Sequence, residues 1–204
     1  MSTAAPPMPP DLAEIPPCPV HRLSVEEFLR MIELGVLDDP ERLELLEGWL
    51  TTKPMRNPPH DAAIELGFEA LRLILPAGWR VRAQSGSVTA DSVPEPDLAV
   101  VRGNPRDQLD RRPGPEDIAL VVEVADSSLA KDRTLKARLY ARAGIPAYWI
   151  VNLVEGLIEV HTEPTGPAES PMYRQRAEVR PGEAIALVVD GREVGPVAAA
   201  DLLP

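Results

Sequence analysis

The sequence predicts a mixed α/β or α+β domain built on a single sheet with helices packed against it. Two apolar, β-branched runs, 98–101 and 118–125, read as buried strands, and further strand-like runs alternate with two or three segments of helical periodicity. With 204 residues, 44% of them apolar, the chain can bury one good core, so residues 21–204 read as one domain.

Each element has its own local reason. Residues 1–20 form a proline-rich lead with too little apolar content to offset the cost of ordering the chain. The 24 prolines are about twice the usual ~5% share, and those outside the lead cluster in loops, where they punctuate a fold without preventing one. Ser24 and Glu27 make a capping-box pattern, and Leu23 can staple onto Phe28, which predicts a helix over 25–34 ending at Gly35. Over 43–50, alternation predicts one strand with Glu47 on the Leu45/Trp49 face. Pro58 and Pro59 open a helix carrying Ile64, Phe68, Leu71 and Leu75, which ends at 76–78. His60 falls in its first turn, where it could ligate or activate a group, cap the helix, or stand exposed. Strands are expected at 79–84, 86–90, 98–101 and 118–125, with a loop over 103–117. Leu135, Leu139 and Ala143 define a helix within 129–143 that Gly144 closes. A buried strand at 147–153 follows, then a hairpin strand at 157–162 after the Glu155-Gly156 turn, and strands at 172–178 and 184–189.

A formal net charge of −11 provides no global basic field for a polyanion. Arg80-Val81-Arg82 and the arginines of 133–142 are the local exceptions, either as solvated faces or as strips that hold phosphates. Cys18 is the single cysteine, which rules out an intrachain disulfide or thiolate cluster and fits a reducing cytoplasm. The N-terminus has neither a basic region nor an apolar stretch, and no run approaches the ~18 residues of a membrane span, so no membrane partner is expected.

The chemistry lies in the acids. Asp97 and Glu123 each stand at the edge of an apolar run, where an ionised carboxylate is costly unless a cation or hydrogen bonds compensate it. Two such acids on successive strands point to a shared cation, and Glu47 is a third acid of interest. Asp132, Lys136 and Tyr140, four residues apart, form a polar stripe on the helix that follows Glu123. In the plain alternative, Asp132 and Lys136 make a surface ion pair contributing only ~0.3–0.5 kcal/mol.

Together, LEGWL at 46–50, Pro96-Asp97, VVEVADSS at 121–128 and KDRTLKARLYARAGIPAYWIVN at 131–152 resemble the Uma-type restriction endonuclease family, a branch of the PD-(D/E)XK nuclease superfamily. The resemblance covers about 22–190 and implies a restriction endonuclease-like core: a mixed central sheet flanked by helices, with additional C-terminal β-hairpins. It implies Mg2+, or Mn2+, bound by Asp97 and Glu123, with the Val124 carbonyl as a further candidate ligand and Glu47 as an accessory acid. DNA is the implied substrate, and a homodimer is a candidate assembly because cutting both strands commonly needs two sites. The superfamily's lysine two residues after the glutamate is absent here, where Ala125 stands, and the likeness assigns its ammonium to Lys136. That displacement and the acidic charge leave open a nuclease fold kept as a binding or regulatory module, and the acidic surface leaves open a metal-dependent hydrolase of a small phosphorylated substrate. Tyr148 and Trp149 read as core packing rather than base-stacking platforms.

Overall fold

The structure is a computed structural model that describes residues 19–204 apart from Pro54, so all of the proline-rich lead before Pro19, Cys18 included, lies outside the described residues. Helix α1, Val25–Glu33, begins as the capping box predicts: Ser24 Oγ accepts from the Glu27 N–H at 3.1 Å, and the Glu27 carboxylate accepts from the Ser24 N–H at 2.7 Å. Leu23 and Phe28 join a small apolar cluster with Leu45 and Val93.

The strand expected over 43–50 is instead two, β1 (Leu43–Leu46) and β2 (Trp49–Thr52), paired antiparallel with Leu46 opposite Trp49. Glu47 and Gly48 form the two-residue turn between them, with φ of 51° and 79°. Two successive left-handed residues suit the twist of a tight hairpin. Gly48 is further constrained by Arg22, whose Cβ would lie 2.7 Å from an added Cβ.

Helix α2, Pro58–Ile74, is capped by the Asn57 side chain accepting from the His60 N–H at 3.1 Å. It packs on a six-stranded sheet made of β3 (Trp79–Ala83), β4 (Leu98–Arg102), β5 (Ile118–Ala125), β6 (Ala147–Asn152), β7 (Leu157–Pro164) and β8 (Tyr173–Val179), in chain order across the sheet. Only β5 and β6 run parallel, and the chain between them forms α3 (Leu129–Lys131), a π-helical turn (Asp132–Lys136) and α4 (Ala137–Ala143), closed by Gly144 at φ 77°. The expected strand at 86–90 does not form. Its N–H groups turn to scattered loop carbonyls, Ser87 to Pro94, Val88 to Pro113 and Thr89 to Ser92, so no continuous ladder is available. A last hairpin, β9 (Ala184–Val189) and β10 (Arg192–Ala198), closes the α2 face; Gly195 and Pro196 hide β10 from a sequence reading.

All eight residues of β5 are buried. Leu120, Val122 and Val124 face α2 and the last hairpin, while Val121 and Ala125 pack toward α4, so strand alternation turns Glu123 to the α4 side as well. Tyr148 and Trp149 are buried in the two core layers, as expected of packing residues.

On that same α4 side, Glu159 of β7 has no exposed surface, and its carboxylate accepts from Arg133 Nε at 2.8 Å, Asn152 Nδ2 at 3.0 Å and Arg176 Nε at 3.1 Å. Burial raises its pKa, but the Arg133 and Asn152 hydrogen bonds and the Arg176 charge outweigh it and hold the carboxyl below its ordinary value. A depressed folded pKa stabilises above the unfolded value near 4.5, and the contribution is lost as pH falls through the folded one. Glu159→Gln is therefore expected to cost about 2 kcal/mol at pH 7. This is less than the ~3–5 kcal/mol for breaking a fully buried pair, because both arginines are a third or more exposed. The deficit shrinks toward pH 3, which urea unfolding at the two pH values would show.

Candidate active site

Asp97 is placed by the strand it precedes. Its carbonyl accepts from the Gln84 N–H at 3.0 Å, and its carboxylate accepts from the Val124 N–H on β5 at 2.8 Å. The first turn of α2 brings His60 Nε2 within 3.4 Å of the same carboxylate. Burial opposes a charged imidazole, but Asp97 outweighs it and raises the His60 pKa. Asp97, His60 and Gln84 line a pocket of about 50 Å³ with Glu44, Glu123, Asp132 and Lys136.

The helix that brings Lys136 to this pocket is locally π-helical. The Ala137 N–H donates to the Asp132 carbonyl five residues back, and the same carbonyl accepts from Tyr148 Oη at 3.1 Å. Here the i,i+4 pair between Asp132 and Lys136 is replaced. Asp132 accepts from Ser128 Oγ at 2.5 Å, and Lys136 Nζ donates to Glu123 Oε1 at 2.7 Å while lying 3.2 Å from Glu44 Oε1. Tyr140 Oη donates to the same Glu123 oxygen at 2.7 Å.

Glu44, Glu123 and Asp132 are all buried and share one buried ammonium, Lys136. Burial pushes the Glu123 carboxyl up to about 8; Lys136 opposes the shift, and the Asp97, Asp132 and Glu44 charges reinforce it. Burial also raises Asp132. Lys136 itself stays charged, because Glu123, Glu44 and Asp132 more than offset its desolvation. Glu44 is held low by Lys136, the Glu95 N–H at 2.9 Å and Lys131, against its burial. Two buried carboxylate oxygens, Glu44 Oε2 and Asp132 Oδ1, have no hydrogen-bond donor among the described residues. Among those residues no three His, Cys, Asp or Glu side chains converge as a ready-made metal cage. An all-oxygen set of carboxylates with surplus negative charge is nonetheless the chemistry that Mg2+ or Mn2+ takes, since magnesium commonly uses one or two carboxylates and keeps its waters.

Of the residues named from sequence, Asp97, Glu123 and Lys136 come together. Val124 joins them through its N–H, which holds Asp97. Glu47 does not line the pocket, and this corrects the sequence expectation. The chain turns at Glu47, so its side chain leaves the expected strand face and meets α4, bonded by Arg138 at 2.6 and 2.9 Å and lying 3.2 Å from Arg142. Those contacts, Arg138 foremost, hold its carboxyl below the ordinary value. Glu44, three residues earlier on β1, lines the pocket instead. Its signal in the sequence was an acid flanked by Leu43 and Leu45; only the position of the turn favours it over Glu47.

A mixed sheet with one parallel pair, flanked by helices, with Asp97 just before β4 and Glu123 on β5 at one end, defines a restriction endonuclease-like protein. The sequence matches the family described as Uma2, putative restriction endonuclease, over residues 25–192, and the chain belongs to that family. The fold is shared with a solved structure of a putative nuclease belonging to DUF820 from Anabaena variabilis ATCC 29413. The TM-score is 0.64 at 16% identity, over 88% of this chain and 97% of that one. The comparison with curated proteins finds no match.

Proposed function

We propose that this chain is a divalent-metal-dependent endonuclease that hydrolyses DNA phosphodiester bonds, with Asp97 and Glu123 as the metal-holding carboxylates and Lys136 as the assisting cation. The observation that carries this reading is the delivery of Lys136 Nζ onto Glu123 from a different element, beside Asp97 on the adjoining strand. Family membership and the nuclease named in the structural comparison support it. When bound, Mg2+ or Mn2+ would supply Lewis-acid stabilisation of phosphate charge and lower the pKa of an attacking water. The Val124 N–H and His60 orient Asp97, Tyr140 orients Glu123, and the Lys136 ammonium stabilises negative charge developing on phosphate oxygens. The test is nicking of supercoiled plasmid with Mg2+ or Mn2+ against the same protein in chelator: metal-dependent nicking is expected, and none with either metal would overturn the reading.

One observation favours a second reading. Lys136 is clamped between Glu123 and Glu44, as a structural ion pair would be, which suits a nuclease fold kept for binding or regulation. Calorimetric binding of Mn2+ without any nicking would select it.

The two β1-hairpin acids separate under substitution. Glu44→Gln is expected to slow nicking about tenfold or more by releasing Lys136 from one of its two anchors. Glu47→Gln leaves the nicking rate within about twofold and costs up to about 1 kcal/mol of stability, since its arginine partners are partly exposed and screened by solvent.

A further inference from the structure

The two basic strips of the sequence have different fates in the fold. Arg133 is engaged by Glu155 and Glu159, Arg138 by Glu47, and Arg142 by Glu47 and Asp91. The β3 strip is not engaged in this way. Val81 packs into the α2 core, so Arg80 and Arg82 stand on the opposite side of this edge strand. Arg112, from the 103–117 loop, lays its guanidinium over Gly86, where an added Cβ would meet Nη1 at 2.8 Å.

Among the described residues, neither Arg82 nor Arg112 has a side-chain hydrogen bond or ion pair; neighbouring Arg111 takes Asp117 and Glu116. Arg80 donates to Gln108, and its buried Nε has no partner. Burial, then Arg80 and Arg112, push the Arg82 pKa below its ordinary value, while Asp107 tempers Arg80. Glu33 and Asp110 line the same groove without bonding to Arg82 or Arg112, so these guanidiniums stay crowded and unpaired among the described residues, a repulsion that a bound anion relieves.

The strip also neighbours the acidic pocket through shared lining residues. A groove of about 260 Å³ shares Glu95 with that pocket, and it shares Arg112 and Ile32 with a second groove of about 600 Å³ that reaches Arg82. Leu29, Val88 and Leu109 give the second groove apolar walls, suited to sugar and base faces. Gln84, two residues and roughly 7 Å along the chain from Arg82, lines the acidic pocket itself.

We propose that Arg82, Arg112 and Arg80 form a second anion-binding site that holds the phosphodiester backbone of a nucleic-acid strand leaving the acidic pocket. The identity of the polyanion rests on the nuclease reading; the path along the β3 edge is what the strip adds to it. Titrating a fluorescein-labelled 20-base-pair duplex in chelator over a series of salt concentrations tests the site without cleavage. Each lost phosphate contact lowers the slope of log affinity against log salt by about 0.9, so Arg82→Gln with Arg112→Gln lowers it by about 2. At low salt the same pair is expected to weaken binding tenfold or more. Arg82→Lys with Arg112→Lys retains most of the slope, because the charge is kept. A charge-matched control, Arg174→Gln with Arg192→Gln, both exposed and away from the grooves, keeps the wild-type value. Should the first pair melt early, Arg112→Gln alone, on an exposed loop side chain, must still lower the slope by about one. An unchanged slope, a fall no greater than the control's, or no duplex binding by the wild type overturns the proposal. A lowered slope in a protein that never nicks plasmid leaves the strip standing and removes the nuclease reading; nicking with an unchanged slope does the reverse.

Discussion

Glu123→Gln is expected to abolish metal-dependent nicking, by roughly 10²–10⁴-fold, while leaving the fold about as stable as wild type. Glutamine keeps an oxygen for the Tyr140 hydroxyl and the Lys136 ammonium, both at 2.7 Å from Glu123 Oε1. It removes an ionisable group from a cluster in which burial, Asp97, Asp132 and Glu44 already push the Glu123 carboxyl up to about 8 and so disfavour its charged form. Loss of charge therefore costs little folding energy, and whatever the cluster gains in compatibility it loses in affinity for a cation. Asp97→Asn follows the same logic, because asparagine can still accept from the Val124 N–H. Plasmid nicking rates measured beside thermal melts check the pair of outcomes. A variant nicking at the wild-type rate would remove Glu123 from the mechanism, and a collapsed melt with nicking lost in proportion would make its role structural. A group whose removal lowers activity without lowering stability marks a site held under strain for function.

Lys136→Met is expected to damage both. Lys136 is 4% exposed and carries the one buried ammonium beside three buried carboxylates among the described residues, so its loss leaves Glu123 with only the Tyr140 hydroxyl and Glu44 with only the Glu95 N–H and Lys131. Breaking a buried pair from one side costs about 3–5 kcal/mol, which in a chain of this size lowers the melting midpoint by roughly 6–20 °C. Nicking falls as well, since no other ammonium lies on Glu123. The double variant Lys136→Met with Glu123→Gln recovers part of the stability, because removing both partners is cheaper than stranding one. Melts of the two single variants and the double variant give the coupling directly. Coupling near zero would mean that the 2.7 Å contact does not govern the stability of the pocket.

The strand that carries Glu123 was legible because its composition left no alternative. The β5 run of Ile118–Ala125 is apolar except for Glu123, and an acid inside such a run is an anomaly that only a cation or a hydrogen-bond network tolerates. The α1 start was equally legible, since Ser24 and Glu27 satisfy each other's backbone within four residues. Lys136 was named through family likeness, although its local alternative, pairing with Asp132, was the ordinary expectation for an α-helix. In the fold Asp132 and Lys136 both line the pocket, and Glu123 and Glu44, brought in from β5 and β1, take the ammonium that local pairing would have left to Asp132.

By itself the sequence determined the fold class, the two strand acids and the capped helices, because each depends on spacing or composition within one short segment. Tertiary structure alone decided that Glu44 rather than Glu47 lines the pocket. A turn at Glu47-Gly48 reverses the chain, and whether a strand continues or turns depends on contacts with Arg22, Ser92 and α4 brought in from elsewhere. It also decided which arginines are spent on internal carboxylates and which are left over at the β3 edge. Charge pairing is a matter of distance in space, and the partners that consume Arg138 and Arg133 lie 91 and 26 residues away in the chain.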